Sequence, residues 1–208
     1  GQWLRSDHRL NWTATLPLVE HPGEVMALVN SAVALASTDT STEQGGLTDA
    51  QILSITSANT QFEQVGDRLY IVGGYGDNSL TDPTSRDTFD SLTAIDLPDL
   101  VDWVKGGTNG IKDADDGTAG DHLRQIRDPL FKVTGGDLHE IDGQFHLVFG
   151  HDFNRAYAGN SFNGTYTHQV RTFTVQDDGA SLGFTDVGRS GNEQDNPEFR
   201  RRDLNVFP

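Results

Sequence analysis

The sequence predicts an all-β protein built from repeated four-stranded antiparallel units, and three observations carry that reading. A segment occurs twice, about 76 residues apart: residues 68–76 read Arg-Leu-Tyr-Ile-Val-Gly-Gly-Tyr-Gly, and residues 144–152 read Gln-Phe-His-Leu-Val-Phe-Gly-His-Asp. Each copy follows a two-residue turn (Gly66-Asp67, then Asp142-Gly143) and an alternating stretch, residues 61–65 and 138–141. Each then leads through a loop to another apolar run, residues 92–97 and 170–175. Strand, turn, strand ending in glycine, long loop, strand is one antiparallel unit written twice, and such a period signals a repeat architecture.

Taken in order, residues 1–17 are mixed, with Trp3 and Trp12 among polar neighbours, and read as an edge strand or an incomplete unit. Residues 24–36 predict a short helix after Pro22-Gly23, because Val25, Leu28, Val29, Ala32 and Val33 fall at helical spacing. The Ser/Thr/Gly-rich stretch 37–46 ends it, and residues 50–60 lead into the first repeat. Residues 98–106 predict a helical turn stopped by Gly106-Gly107, followed by a Gly/Asp loop over 108–120. Residues 122–134 read as strand, with a bend or edge position at Asp128-Pro129. Residues 176–197 read as an Asp/Gly/Asn-rich connector. Residues 200–207 then echo residues 125–132, about 75 positions earlier, through a shared Arg-Asp before apolar residues. The expected organisation is one partial repeat domain over residues 1–208, with units at about 50–125 and 126–200 and incomplete units at both ends.

The chain carries a formal net charge of −16, from 24 Asp and 7 Glu against 12 Arg and 3 Lys. Acid spread along the whole chain opposes binding to nucleic acid or an anionic membrane. No apolar run approaches the roughly 18 residues of a membrane span. Two readings of the charge stand: a solvated, soluble surface, and a halophilic adaptation in which Asp holds water and salt screens the repulsion. Cysteine is absent, so neither disulfides nor thiolate chemistry are available.

Residues 69–74, Leu-Tyr-Ile-Val-Gly-Gly, resemble the hallmark of kelch-repeat β-propellers, an apolar strand ending in a glycine doublet. The second copy, Leu147-Val148-Phe149-Gly150, keeps one glycine, and a further doublet, Gly135-Gly136, ends residues 131–134. Glycine there would permit a positive φ and close approach of neighbouring segments. The likeness covers roughly residues 50–178. It implies a downstream tyrosine, which residues 92–97 lack, and a tryptophan, whose place Trp103 fills in the first repeat only. The implied fold is a kelch-like β-propeller segment of about three four-stranded blades with short helical insertions. A propeller ring needs at least about four blades, so the expectation is a piece of a longer chain. The alternatives are a ring closed by oligomerisation, or a small sandwich.

Several motifs fail on context. Residues 74–79, Gly-Tyr-Gly-Asp-Asn-Ser, lack the helix and third glycine that a dinucleotide loop needs. Residues 113–117, Asp-Ala-Asp-Asp-Gly, miss the EF-hand spacing, and Arg124 stands where its glutamate belongs. The seven histidines form no recognised ligand pair; His146 reads as a cross-strand packing residue. No Gly-x-Ser-x-Gly is present. The copper-radical oxidases, similar to kelch proteins in fold, use a tyrosine crosslinked to cysteine, which this chain cannot build. No metal and no cofactor are expected.

One cluster remains. The loops after the two glycine-ended strands carry Tyr75 and Asp77 in the first repeat, and His151, Asp152, Arg155, Tyr157 and Tyr166 in the second. Aromatic rings beside Asp, Asn and Arg suit a polar ligand, because they offer flat stacking surfaces and directional hydrogen bonds. The other reading is ordinary loop composition held down by Arg–Asp pairs. The expectation is a binding or scaffolding module with a protein or carbohydrate ligand at this face, in an extracellular or envelope (periplasmic) setting. The alternative is a sugar-processing enzyme resembling the sialic acid mutarotases, with His151 as acid/base.

Overall fold

In the computed structural model, the residues described are 3–6, 9–12, 47–79, 81–82, 85–100, 122–154, 164–191 and 197–203. They are mostly β, with every strand pair antiparallel. A first hairpin pairs β1 (Trp3–Ser6) with β2 (Arg9–Trp12). A four-stranded meander follows, from β3 (Gln61–Val65), β4 (Arg68–Val72), β7 (Ser91–Asp96) and β8 (Leu123–Arg127), in that spatial order. A second meander has the same order in β9 (Asp137–Ile141), β10 (Gln144–Val148), β13 (Val170–Asp177) and β14 (Leu182–Ser190). Between its second and third strands each meander inserts a hairpin: β5 (Tyr75–Asp77) with β6 (Arg86–Thr88), and β11 (His151–Phe153) with β12 (Gly164–Tyr166).

The sequence repeat is thus a structural repeat. Gln61 and Asp137, Arg68 and Gln144, and Tyr75 and His151 open corresponding strands 76 residues apart. Backbone joins between units repeat as well. Gly74 N–H donates to Val133 O (2.9 Å), and Gly150 N–H donates to Arg201 O (3.1 Å). Gly135 N–H donates to Asn59 O and Asp203 N–H to Gly135 O, with φ of 53°, 66° and 53° at Asn59, Gly135 and Asp203. Residues 201–203 therefore stand where 133–135 stand one unit earlier. This corrects the register expected from the Arg-Asp echo, which pairs Asp203 with Asp128.

The core lies between the two meanders. Tyr70, Val72, Leu92 and Ala94 of the first face Leu138, Phe145, Leu147 and Phe173 of the second, with Leu130, Phe131 and Val133 of the connecting segment between them. Phe131 is edge-on to both Phe173 (5.3 Å) and Phe184 (4.8 Å). The apolar run of β4 is buried on both faces, unlike the alternating β10. Its second face is covered by α1 (Asp49–Ile55), where Ile52 and Ile55 are buried. Gln125 of β8 bonds both Ser54 of α1 and Thr93 of β7, and Thr93 pairs with Ile71, which places the helix over that face.

Two elements differ from the sequence expectation. Helix α1 stands in the lead-in stretch, started by a capping box in which Thr48 Oγ1 accepts from Gln51 N–H while the Gln51 side chain accepts from Thr48 N–H. Thr-x-x-Gln is the corresponding sequence signal. The connector expected over 176–197 holds β14 instead, with Leu182 and Phe184 packed on the core. The alternation Leu182-Gly183-Phe184-Thr185 marks it once the flanking Asp and Gly are set aside as turn residues. Asp128 caps a 3₁₀ turn at Pro129–Phe131, which gives the expected bend its geometry. Of the turn expected over 98–106, residues 97–100 are helical; the rest, the helix over 24–36 and the acidic loop 113–117 lie outside the described residues.

A buried charge network crosses between the units. Arg124 of β8 donates to both carboxylate oxygens of Asp96 (2.7 and 2.8 Å) and to both of Asp177 at the end of β13 (2.9 and 3.1 Å). Arg68 approaches the same two carboxylates, at 3.3 and 3.4 Å. Tyr70 O–H donates to Asp177 (3.3 Å). The Asp177 and Arg124 side chains are only 1% and 4% exposed.

Candidate functional site

Both inserted hairpins leave the same end of their sheets, after Gly73-Gly74 and Phe149-Gly150, all four of which have positive φ. Each is tied back to the segment before its unit, Tyr75 to Ala58 and His151 to Thr134, by two-way backbone hydrogen bonds. The hairpins touch each other. Thr88 Oγ1 donates to Phe153 O and accepts from Phe153 N–H, both at 2.8 Å, and the rings of Tyr75 and Phe153 meet edge to face at 5.2 Å. Thr88→Val keeps the shape and removes both bonds at once. A loss of about 1–3 kcal/mol is expected, read by chemical denaturation; a change near zero would mean the hairpins are held together by the rings alone.

Lys132 sits at the seam, 3.2 Å from Asp87 and 3.4 Å from Asp152. Burial pushes the Asp152 carboxyl above the usual carboxylate range against the opposing pull of Lys132. Burial works to lower the Lys132 ammonium, but the two carboxylates outweigh it and hold the group above its ordinary value. This trio is an ion-paired join rather than an open acid–base pair.

The structure treats the sequence-selected residues unequally. Tyr75 is buried, with its ring against Phe153. Asp77 is exposed and takes a 2.7 Å bond from Arg86 Nε. His151 is only 1% exposed, beside the rings of Tyr166 (5.6 Å) and Phe153 (6.0 Å). Burial, with help from Arg202, draws its imidazole below the ordinary value, so the ring is neutral at pH 7. Tyr166 is half-buried, with the Arg200 guanidinium 4.9 Å above its ring, a cation–π arrangement. Asp152 belongs to the lysine seam. Arg155 and Tyr157 lie outside the described residues.

Tyr75, Asp77 and Arg86 meet at an open pocket of about 290 Å³. Its other wall is the end of α1 and the following turn: Leu53, Thr56, Ser57 and Ala58. An ion pair, a tyrosine and a serine round an apolar floor offer donors and acceptors to a small polar ligand. Away from the hairpins, Asp96, Asp99 and His122 are the group among the described residues whose donor atoms converge closely enough to hold a metal. Their spacing matches no ligand signature, so the sequence did not signal them.

Among known proteins, no family model matches this chain and no curated sequence is similar to it. Fold and site together define an all-β repeat protein with a pocket-bearing hairpin end.

Proposed function

We propose that the chain is a kelch-like β-propeller segment whose hairpin end binds a polar ligand, a carbohydrate before a protein surface. Two meanders of identical order, with their cores between them and backbone joins recurring along the chain, support the propeller reading. The single observation behind the ligand reading is the exposed Asp77–Arg86 pair beside Tyr75 on the rim of the pocket. A carboxylate and a guanidinium fixed side by side match the adjacent hydroxyls of a sugar. The catalytic alternative draws no support from His151, which is enclosed.

The test is a saccharide array followed by NMR titration. Wild type is expected to bind a saccharide with shifts at Ala58, Tyr75 and Asp77. Asp77→Ala and Arg86→Ala should each weaken binding at least about tenfold while leaving the fold intact, as expected when one of a few polar anchors is lost. Equal binding by both variants would rule this pocket out as the ligand site.

A further inference from the structure

We propose that Asp96, Asp99 and His122 form a binding site for one divalent transition-metal ion of the zinc class. The inference stands on different residues from the hairpin pocket and does not depend on the ligand proposed there.

His122 Nδ1 lies 3.3 Å from Asp99 Oδ2 and 3.8 Å from Asp96 Oδ2, and the three donor atoms all fall within 4.8 Å of one another. The 3.8 Å separation is beyond hydrogen-bond reach and the 3.3 Å one is at its long end. With metal–ligand distances of about 2.0–2.2 Å, donors round a tetrahedral centre stand roughly 3.3–3.6 Å apart, so the closer pair fits a shared ion and the wider one needs a shift of a few tenths of an ångström.

The donors are held in place by the fold. Asp96 closes β7 and His122 precedes β8, and Asp96 N–H donates to His122 O at 2.9 Å, so the sheet fixes the two backbones side by side. The helical segment that begins at residue 97 brings Asp99 back to them. The His122 side chain is only 6% exposed, with its Nδ1 aimed at the carboxylates. Asp96 is clamped by Arg124 through both oxygens, as ligating carboxylates are oriented by outer partners.

Charge gives a second, independent reason. Among the described residues, Asp96 and Asp177 pair with the two guanidinium groups of Arg68 and Arg124, and Asp99 adds a third carboxylate beside His122. Counted over these residues, one negative charge is left over at a site where Asp96 and Asp177 are largely withdrawn from water. A bound cation would balance it. Two oxygens and one imidazole nitrogen select zinc, cobalt or manganese, because calcium and magnesium prefer oxygen alone. The part-exposed Asp99, at 37%, leaves a path for the ion and for water to complete its shell.

The experiment uses the full chain after chelation, in high potassium chloride with excess Mg²⁺, so that the acidic surface does not bind zinc diffusely. Zinc is titrated by calorimetry, and Co²⁺ by its visible absorption, into wild type, Asp99→Asn and His122→Asn. Wild type is expected to take one equivalent of Zn²⁺ and to gain in melting temperature. Asp99→Asn should bind at least about tenfold more weakly, and His122→Asn should lose the nitrogen-ligated cobalt spectrum. Asp99→Asn alters a part-exposed side chain, so its result stands even if His122→Asn folds poorly. Absence of saturable one-to-one binding by wild type, or Asp99→Asn binding equal to wild type, would overturn the site and leave an adventitious ion only.

Discussion

Replacing Asp177 with alanine is expected to lower the unfolding free energy by about 3–5 kcal/mol, among the largest effects of any single substitution in the chain. Asp177 is 1% exposed and receives bonds from Arg124 and Tyr70, while Arg68 approaches it. Its removal leaves buried Arg124 with two of its four carboxylate acceptors gone, and breaking a buried pair from one side costs far more than the pair itself contributes. The network also joins β7 and β8 of one unit to β13 of the next, so the damage falls on the interface that makes two meanders one body. Asp186→Ala is the matched control. Its partner Arg189 lies three residues away on the surface, and loss of that exposed pair should cost under about 1 kcal/mol. Guanidinium chloride denaturation of both variants decides the matter. If Asp177→Ala fell within the error of Asp186→Ala, the inter-unit network would be ornamental to stability.

Gly73→Ala is expected to cost about 3 kcal/mol or more, through contact rather than through backbone strain alone. Gly73 has φ +61°, and a Cβ there would lie 2.0 Å from the Val133 carbonyl oxygen and 2.9 Å from that of Phe131. Both atoms are backbone and belong to the segment that carries the next unit, so neither can turn aside. Gly66 separates the two causes, because it has the same φ of +61° and no atom within 4 Å of the place a Cβ would take. Gly66→Ala should therefore show only the left-handed backbone penalty, about 1–2 kcal/mol. The paired melting curves check this: equal shifts would mean that backbone conformation, not the closeness of the two units, is what glycine provides.

Phe149, the counterpart of Gly73 one repeat later, holds φ 55° with a full side chain, packed on Phe199 at 5.3 Å. The same backbone conformation is thus kept in both units while the residue changes. This is why the second copy of the glycine doublet is degenerate in sequence but intact in shape. The period itself was legible because alternation, two-residue turns and strand-ending glycines are local signals. Helix α1 was missed in the sequence, although Thr48 and Gln51 carried a capping signal for it.

The candidate site was legible in part. Tyr75 and Asp77 come to the pocket rim as their loop position implies, whereas His151 turns inward between rings and Asp152 joins a lysine seam. Nothing local distinguishes Tyr75 from His151, which occupy corresponding positions in corresponding strands. The difference lies in what surrounds each residue: the end of α1 stands beside Tyr75, whereas His151 has its own hairpin partner Tyr166 at its ring and Arg202 nearby.

Three properties follow from the order of residues alone: the chain is β-rich, its unit repeats every 76 residues or so, and its surface is acidic. Each of these depends on composition or on neighbours a few positions away. The folded chain was needed to see that Arg124 bridges Asp96 to Asp177, that Thr88 locks onto Phe153, and that Asp96, Asp99 and His122 converge. Apart from the neighbouring Asp96 and Asp99, those contacts join residues about 23 to 65 positions apart, and their chemistry depends on distance, burial and charge balance, which no linear spacing carries.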